Sequence, residues 1–101
     1  MAVIWSRSGI MRPENYKQAI EMSETQLEAF KEKTGVRAGL YHQMGGDIGR
    51  LGVLAVFEDL AEFQKVMREA VGNPEYIERQ QHYLANFLPQ SLHETIWVRR
   101  G

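Results

Sequence analysis

The chain contains no cysteine. Disulfides, thiolate metal sites and cysteine nucleophiles are therefore excluded, and the expected compartment is the cytoplasm. It also lacks an excess of basic charge: 12 Lys and Arg stand against 13 Asp and Glu, for a formal net charge of -1. Without surplus cations to displace the counterions of phosphates, nucleic acid is not an expected partner. No apolar run approaches the roughly 18 residues of a membrane span. The opening residues, Met1-Ala-Val-Ile-Trp-Ser-Arg7, lack the basic and then apolar pattern of a signal peptide, so no membrane association is expected. Histidine is scarce and scattered at His42, His82 and His93, with no carboxylate at metal-ligand spacing, so neither a metal nor a cofactor is implied. Neither an internal repeat nor a linker interrupts the chain. Residues 1–101 read as one domain, long enough to bury a core without staples.

What the chain does have is Leu51-Gly-Val-Leu-Ala-Val-Phe57, an unbroken apolar segment. A strand with one wet face alternates apolar with polar residues. This one does not, so both of its faces are expected to be dry.

Around it, the pattern alternates strands with helices. Ala2 to Gly9 reads as a first strand. Pro13 opens a helix in which Tyr16, Ile20, Ser23, Leu27 and Phe30 share a face at about 100° per residue. Gly35 fits a left-handed C-terminal cap. Val36 to Met44 reads as a second strand, Gly45-Gly-Asp-Ile-Gly49 as a hairpin turn, and Arg50 to Phe57 as the third strand. The glycines of that turn do not open a helix after a strand, as a phosphate loop or dinucleotide fingerprint requires. Asp59 with Glu62 forms a capping-box-like start for a second helix. Gly72-Asn73-Pro74 interrupts that helix, and Pro89 ends it. Ser91 to Arg99 is the last strand.

The order strand, helix, strand, strand, helix, strand is that of the ferredoxin-like βαββαβ fold, an α+β class with a four-stranded antiparallel sheet. Right-handed crossovers place both helices on one face. The bare face would be a broad apolar patch that monomers seldom expose. A homodimer formed through the open sheet face is the expected solution.

A ferredoxin-like chain of this length with a bare apolar sheet face resembles the dimeric α/β-barrel superfamily. The likeness includes the broken second helix at Val71-Gly-Asn-Pro-Glu-Tyr76 and the last strand beginning at Ser91. In texture it is similar to the small NIPSNAP-like and antibiotic-biosynthesis-monooxygenase-like proteins. The resemblance implies a homodimer with a pocket in each subunit between sheet and helices. It also implies a range of activities: cofactor-independent oxygenation of quinone-like molecules, haem degradation, or isomerisation of small lactones. Haem degradation would need a pocket-facing histidine from the second helical region. His82 is the only histidine there, and its helical phase turns it to solvent. Phe57-Glu-Asp-Leu60 also stands where that group carries a tryptophan.

The candidate site residues each admit two readings. Trp5 and Trp97, on neighbouring strands, form either an aromatic wall for a flat substrate or ordinary core and interface packing. Arg7 shares the phase of Trp5; it either binds a carboxylate or enolate oxygen or closes a rim salt bridge with Glu94 where register allows. His42, between Leu40 and Met44, is either a general base or a satisfied polar residue near a strand end. His93 shares a phase with Thr95 and Trp97 and admits the same two readings. Tyr16, Tyr76, Gln80 and Tyr83, with Ser23, set polar tips among aromatic bodies, the usual lining of a small-molecule cavity and equally the margin of an amphipathic helix.

Two functional classes follow. One is an oxygenase-like or isomerase-like enzyme without a metal, acting on a flat, partly apolar small molecule, with His42 and Arg7 as catalytic candidates. The other is a non-catalytic, small-molecule-binding or stress-associated dimer. The enzyme reading loses its site if Tyr16, Phe30, Phe63 and Phe87 fill the space between sheet and helices.

Overall fold

A computed structural model describes residues 2–101. Four strands, β1 (Val3–Ile10), β2 (Arg37–His42), β3 (Arg50–Phe57) and β4 (His93–Val98), form one sheet in the order β2-β3-β1-β4. Every neighbouring pair is antiparallel. Three helices, α1 (Tyr16–Thr34), α2 (Leu60–Val71) and α3 (Pro74–Leu84), complete the α+β ferredoxin-like arrangement. Short 3-10 turns at Pro13–Asn15 and Pro89–Ser91 lead into α1 and β4. Among the described residues, no helix is long and apolar enough to cross a membrane.

The element ends follow from local chemistry. Gly35 closes α1 at φ 71°, in the left-handed region that costs a glycine nothing, and its N–H returns to the Lys31 carbonyl. Asp59 caps α2 by accepting from the Glu62 N–H at 2.8 Å. Glu62 reaches back to the Glu58 N–H at 3.3 Å. Asn73 separates α2 from α3 by capping the second helix through the N–H groups of Glu75 and Tyr76. Pro74, which has no N–H to lose, occupies the first turn.

Register determines the two faces of the sheet. Val3, Trp5, Ala55, Phe57 and the flanking Val36 are buried, and Phe30, Phe63, Val66 and Met67 pack onto them. A second cluster joins Met11, Ala19, Leu51 and Phe87, covered by Leu40 and Tyr83. The alternate residues, among them Ile4, Leu54, Val56, Tyr41 and Trp97, point away from the helices. The third strand is thus apolar on both phases, with Leu51, Val53, Ala55 and Phe57 toward the helices and Leu54 and Val56 away from them.

The buried stripe of α1 keeps Ser23 of the expected face but not Tyr16 or Ile20. Ala19 and Ser23 are its buried residues, whereas Tyr16 and Ile20 are each 36% exposed. Small side chains allow the helix to approach the sheet, and the bulkier residues are displaced to the margin. The strands are also shorter than the sequence indicates: β2 ends at His42 rather than Met44, and β4 begins at His93 rather than Ser91. Ser91 instead satisfies the end of β1, accepting from the Ile10 N–H at 2.8 Å while donating to the Leu88 carbonyl at 2.6 Å.

Candidate functional site

Between the sheet and the helices lies a cavity of about 580 Å³. Its floor is the helix-facing side of the central strands, where Trp5, Arg7 and Val53 project. Phe30 and Leu27 of α1, Met67 of α2 and Tyr76, Gln80 and Tyr83 of α3 form its walls. Phe87 also lines it. Phe30 and Phe87 thus line the space without filling it, and Phe63 packs into the core beside it. Tyr16 lies elsewhere: a Cβ on Gly49, in the β2–β3 turn, would run into its hydroxyl.

Strand register brings Arg7 into the cavity, two residues along β1 from Trp5 and directly opposite Glu94 on β4. Its guanidinium lies 5.3 Å from the Trp5 ring centroid, within cation–π range. Nη1 donates to Gln80 Oε1 at 3.0 Å, and Gln80 Nε2 in turn donates to Gln26 Oε1 at 2.9 Å. Each amide of this relay has its orientation set by the next partner. Glu94 stands 3.7 Å from Nη2 and accepts from the Trp5 indole N–H. The pairing of Arg7 with Glu94, conditional on register in the sequence, is present. It is a long and partly solvated contact, of the kind worth about 0–1 kcal/mol.

A second polar pair faces the same space. The Tyr83 hydroxyl lies 2.6 Å from Ser23 Oγ, and Ser23 Oγ lies 2.7 Å from the Ala19 carbonyl. The carbonyl can only accept, so the serine proton goes there and the tyrosine donates to the serine. Burial raises the Tyr83 phenol above its ordinary pKa, outweighing the lowering effects of the Ser23 hydrogen bond and the Arg7 charge. Tyr83 is therefore a neutral donor at physiological pH. Phe87 stacks edge-on against it with ring centroids 5.2 Å apart.

The structure thus gathers Trp5, Arg7, Tyr76, Gln80 and Tyr83 around one cavity, with Ser23. Three expected members are not brought there. Trp97 pairs with Ile4, not Trp5, so it projects from the opposite face and is 66% exposed. The two tryptophans consequently form no common wall. His42 pairs with Leu51 and has the helix-facing phase, but it ends the edge strand β2 and is exposed. Tyr16 lies at the margin of α1. Of the other histidines, His93 projects from the open face with Trp97, and His82 is exposed on α3 as its helical phase indicated. Among the described residues, no group of three or more His, Asp or Glu side chains could hold a metal ion.

Gln26 was not among the expected site residues. The signal was present, since Gln26 lies three positions from Ser23 and so on the same helical face. Lys33, Lys65 and Arg79 also reach the cavity wall from helix surfaces that the sequence marks only as charged.

No protein family matches this chain by sequence, and no curated protein does. Solved structures do match. The chain is similar to a NIPSNAP-like domain protein from Burkholderia xenovorans, with a TM-score of 0.77 at 17% identity, over 98% of this chain and 85% of that one. It is similar to a mutant form of SnoaB, a cofactor-independent oxygenase from Streptomyces nogalater. There the TM-score is 0.73 at 13% identity, over 99% of this chain and 94% of that one. A NIPSNAP family protein from Agrobacterium tumefaciens superposes with a TM-score of 0.77 at 8% identity, over 99% and 94%. At these identities the likeness is one of fold. The chain has the ferredoxin-like α+β fold of the NIPSNAP proteins and of a cofactor-independent oxygenase, over nearly its whole length.

Proposed function

We propose that this chain forms a homodimeric α/β barrel that binds a flat, partly apolar small molecule between sheet and helices and oxidises it with O2, without a metal. The observation that carries the reading is the cavity itself. It is open, and it is lined by aromatic and aliphatic bodies carrying a few convergent polar groups, the composition of a small-molecule site. The oxygenase fold supports the choice of chemistry. The bare sheet face, with Ile4, Leu54, Val56 and Trp97 side by side, supports a second copy of the chain as its cover.

Such a reaction takes its electrons from the substrate. Oxidation of an anthrone-type methylene to a carbonyl removes both C–H hydrogens. One atom of O2 enters the carbonyl and the other leaves as water. The protein's part is to hold the substrate anion, exclude water and admit O2. Arg7 would hold the anionic oxygen, Trp5 and Tyr76 the ring faces, and Tyr83 would donate a hydrogen bond.

One observation favours a second reading, a binding protein without chemistry. At the centre of the cavity the Arg7 guanidinium offers only donors, and burial raises the pKa of the Tyr83 phenol, so neither is a ready base. With no base at its centre, the cavity favours, under the oxygenase reading, a substrate that ionises readily. Oxygen uptake with a hydroxylated anthrone as probe separates the two. Protein-dependent uptake that saturates with the anthrone supports the enzyme. Binding of the anthrone with no uptake above autoxidation supports the binding protein. Neither binding nor uptake rejects both.

A further inference from the structure

We infer that the cavity selects flat organic anions, a carboxylate or an ionised enol, and that Arg7 is the residue that confers this selectivity. The inference rests on the proposed use of the same cavity and names the chemical class of its ligand.

Three observations converge on it. The first is the state of Arg7. A guanidinium offers five N–H donors, and among the described residues one is engaged in a hydrogen bond, to Gln80. Its counterion is poorly placed: Glu94 stands at 3.7 Å, its side chain is 52% exposed, and it accepts from the Trp5 indole N–H. A cation drawn partly out of water with so little compensation favours a ligand anion. The second is preorganisation. Gln26 holds Gln80, Gln80 holds Nη1, and the Trp5 ring supports the guanidinium plane. Little side-chain freedom remains to be lost when a ligand docks, which raises affinity for a group of matching geometry. The third is the field. The chain as a whole carries a formal net charge of -1. The cavity lining reverses that sign, with Arg7, Lys33, Lys65 and Arg79 against Glu62 and Glu69. A cleft whose lining carries a net charge of one sign favours ligands of the other. The flatness of the ligand follows from the aromatic walls, Trp5, Tyr76 and Phe87.

Calorimetric titration of the intact protein tests this with matched probes. One pair is 2-naphthoate and its neutral amide; the other is lawsone, an acidic hydroxyquinone, and its neutral methyl ether. The expected result is that each anion binds at least about tenfold more tightly than its neutral partner, the scale of a charge-assisted hydrogen bond. The preferred pair tells carboxylate from enol. In Arg7→Met the preference should vanish while the neutral probes still bind. Arg7→Lys, which keeps the charge but loses the planar fork, should retain part of it. Retention of the neutral probes also shows that Arg7→Met is folded. Equal binding of anion and amide, or an unchanged preference in Arg7→Met, overturns the anion inference and leaves the cavity reading standing. Failure of all four probes to bind overturns both.

Discussion

Gly9 leaves room for Phe87 and Leu92 in the cavity wall, and replacing it tests the packing account quantitatively. A Cβ at Gly9 would lie 2.8 Å from Leu92 Cδ2 and 2.9 Å from Phe87 Cδ1. Both are closer than two carbon atoms rest, at about 3.5–4.0 Å. Leu92 is partly exposed and can turn aside. Phe87 cannot do so freely: it is 3% exposed, bridged through its backbone to Met11 and stacked on Tyr83. Overpacking of this kind costs about 1–3 kcal/mol. Gly→Ala recovers about 0.4–1 kcal/mol by restricting the unfolded chain. The expected net loss for Gly9→Ala is about 1–2 kcal/mol, or roughly 5–15 °C in Tm for a domain of this size. Thermal and urea unfolding measure it. Phe87→Leu should relieve the clash, so the double variant should lose less than the two singles together, by about 1 kcal/mol. A neutral or stabilising Gly9→Ala, or strict additivity with Phe87→Leu, would refute the reasoning.

Further predictions concern ionisation, capping and association. Ultraviolet titration should show one tyrosine ionising above the ordinary range, and Tyr83→Phe should remove that phase. Because the folded protein holds the Tyr83 proton more tightly than the unfolded chain, this group's stabilising contribution is full below the unfolded pKa, about 10, and is lost as pH rises through the folded value. A steeper alkaline loss of stability in Tyr83→Phe than in the parent would contradict this. Asp59→Ala removes the side-chain acceptor at the start of α2 and should cost about 1 kcal/mol in urea unfolding. Leu54→Lys, on the bare face, should shift the protein from dimer to monomer in sedimentation velocity while its far-ultraviolet circular dichroism stays unchanged. A parent that sediments as a monomer at micromolar concentration would remove the case for the dimer.

The fold was legible where one periodicity dominated and chemistry marked the ends. Asp59 and Glu62 announced α2, Gly35 closed α1, and Gly72-Asn73-Pro74 divided α2 from α3, each for the reason visible in the structure. Alternation along β1 correctly gave Arg7 the phase of Trp5 and left its pairing with Glu94 to register. The site was legible only in part because register between distant strands is not written in either strand alone. Trp5 and Trp97 share a mid-strand position, but Trp5 pairs with Ile96, and a single residue of offset sends Trp97 to the opposite face. His42 has the expected phase; what its strand could not reveal is that β2 lies at the edge of the sheet, where its last residue is exposed. On α1, helical phase put Tyr16, Ile20 and Ser23 on one face; close packing buried Ser23 together with Ala19 and left Tyr16 and Ile20 at the margin. Small residues mark such an approach weakly in a sequence, because their contribution is the space they leave.

The central claim is that the space between sheet and helices receives a flat ligand at Arg7. A crystal structure of the protein grown with 2-naphthoate tests it most directly. The account predicts ring density lying against Trp5 and Tyr76 with the carboxylate within hydrogen-bond distance of the Arg7 guanidinium. Density confined to the outer surface or the bare sheet face, with the cavity empty at saturating ligand, would contradict it.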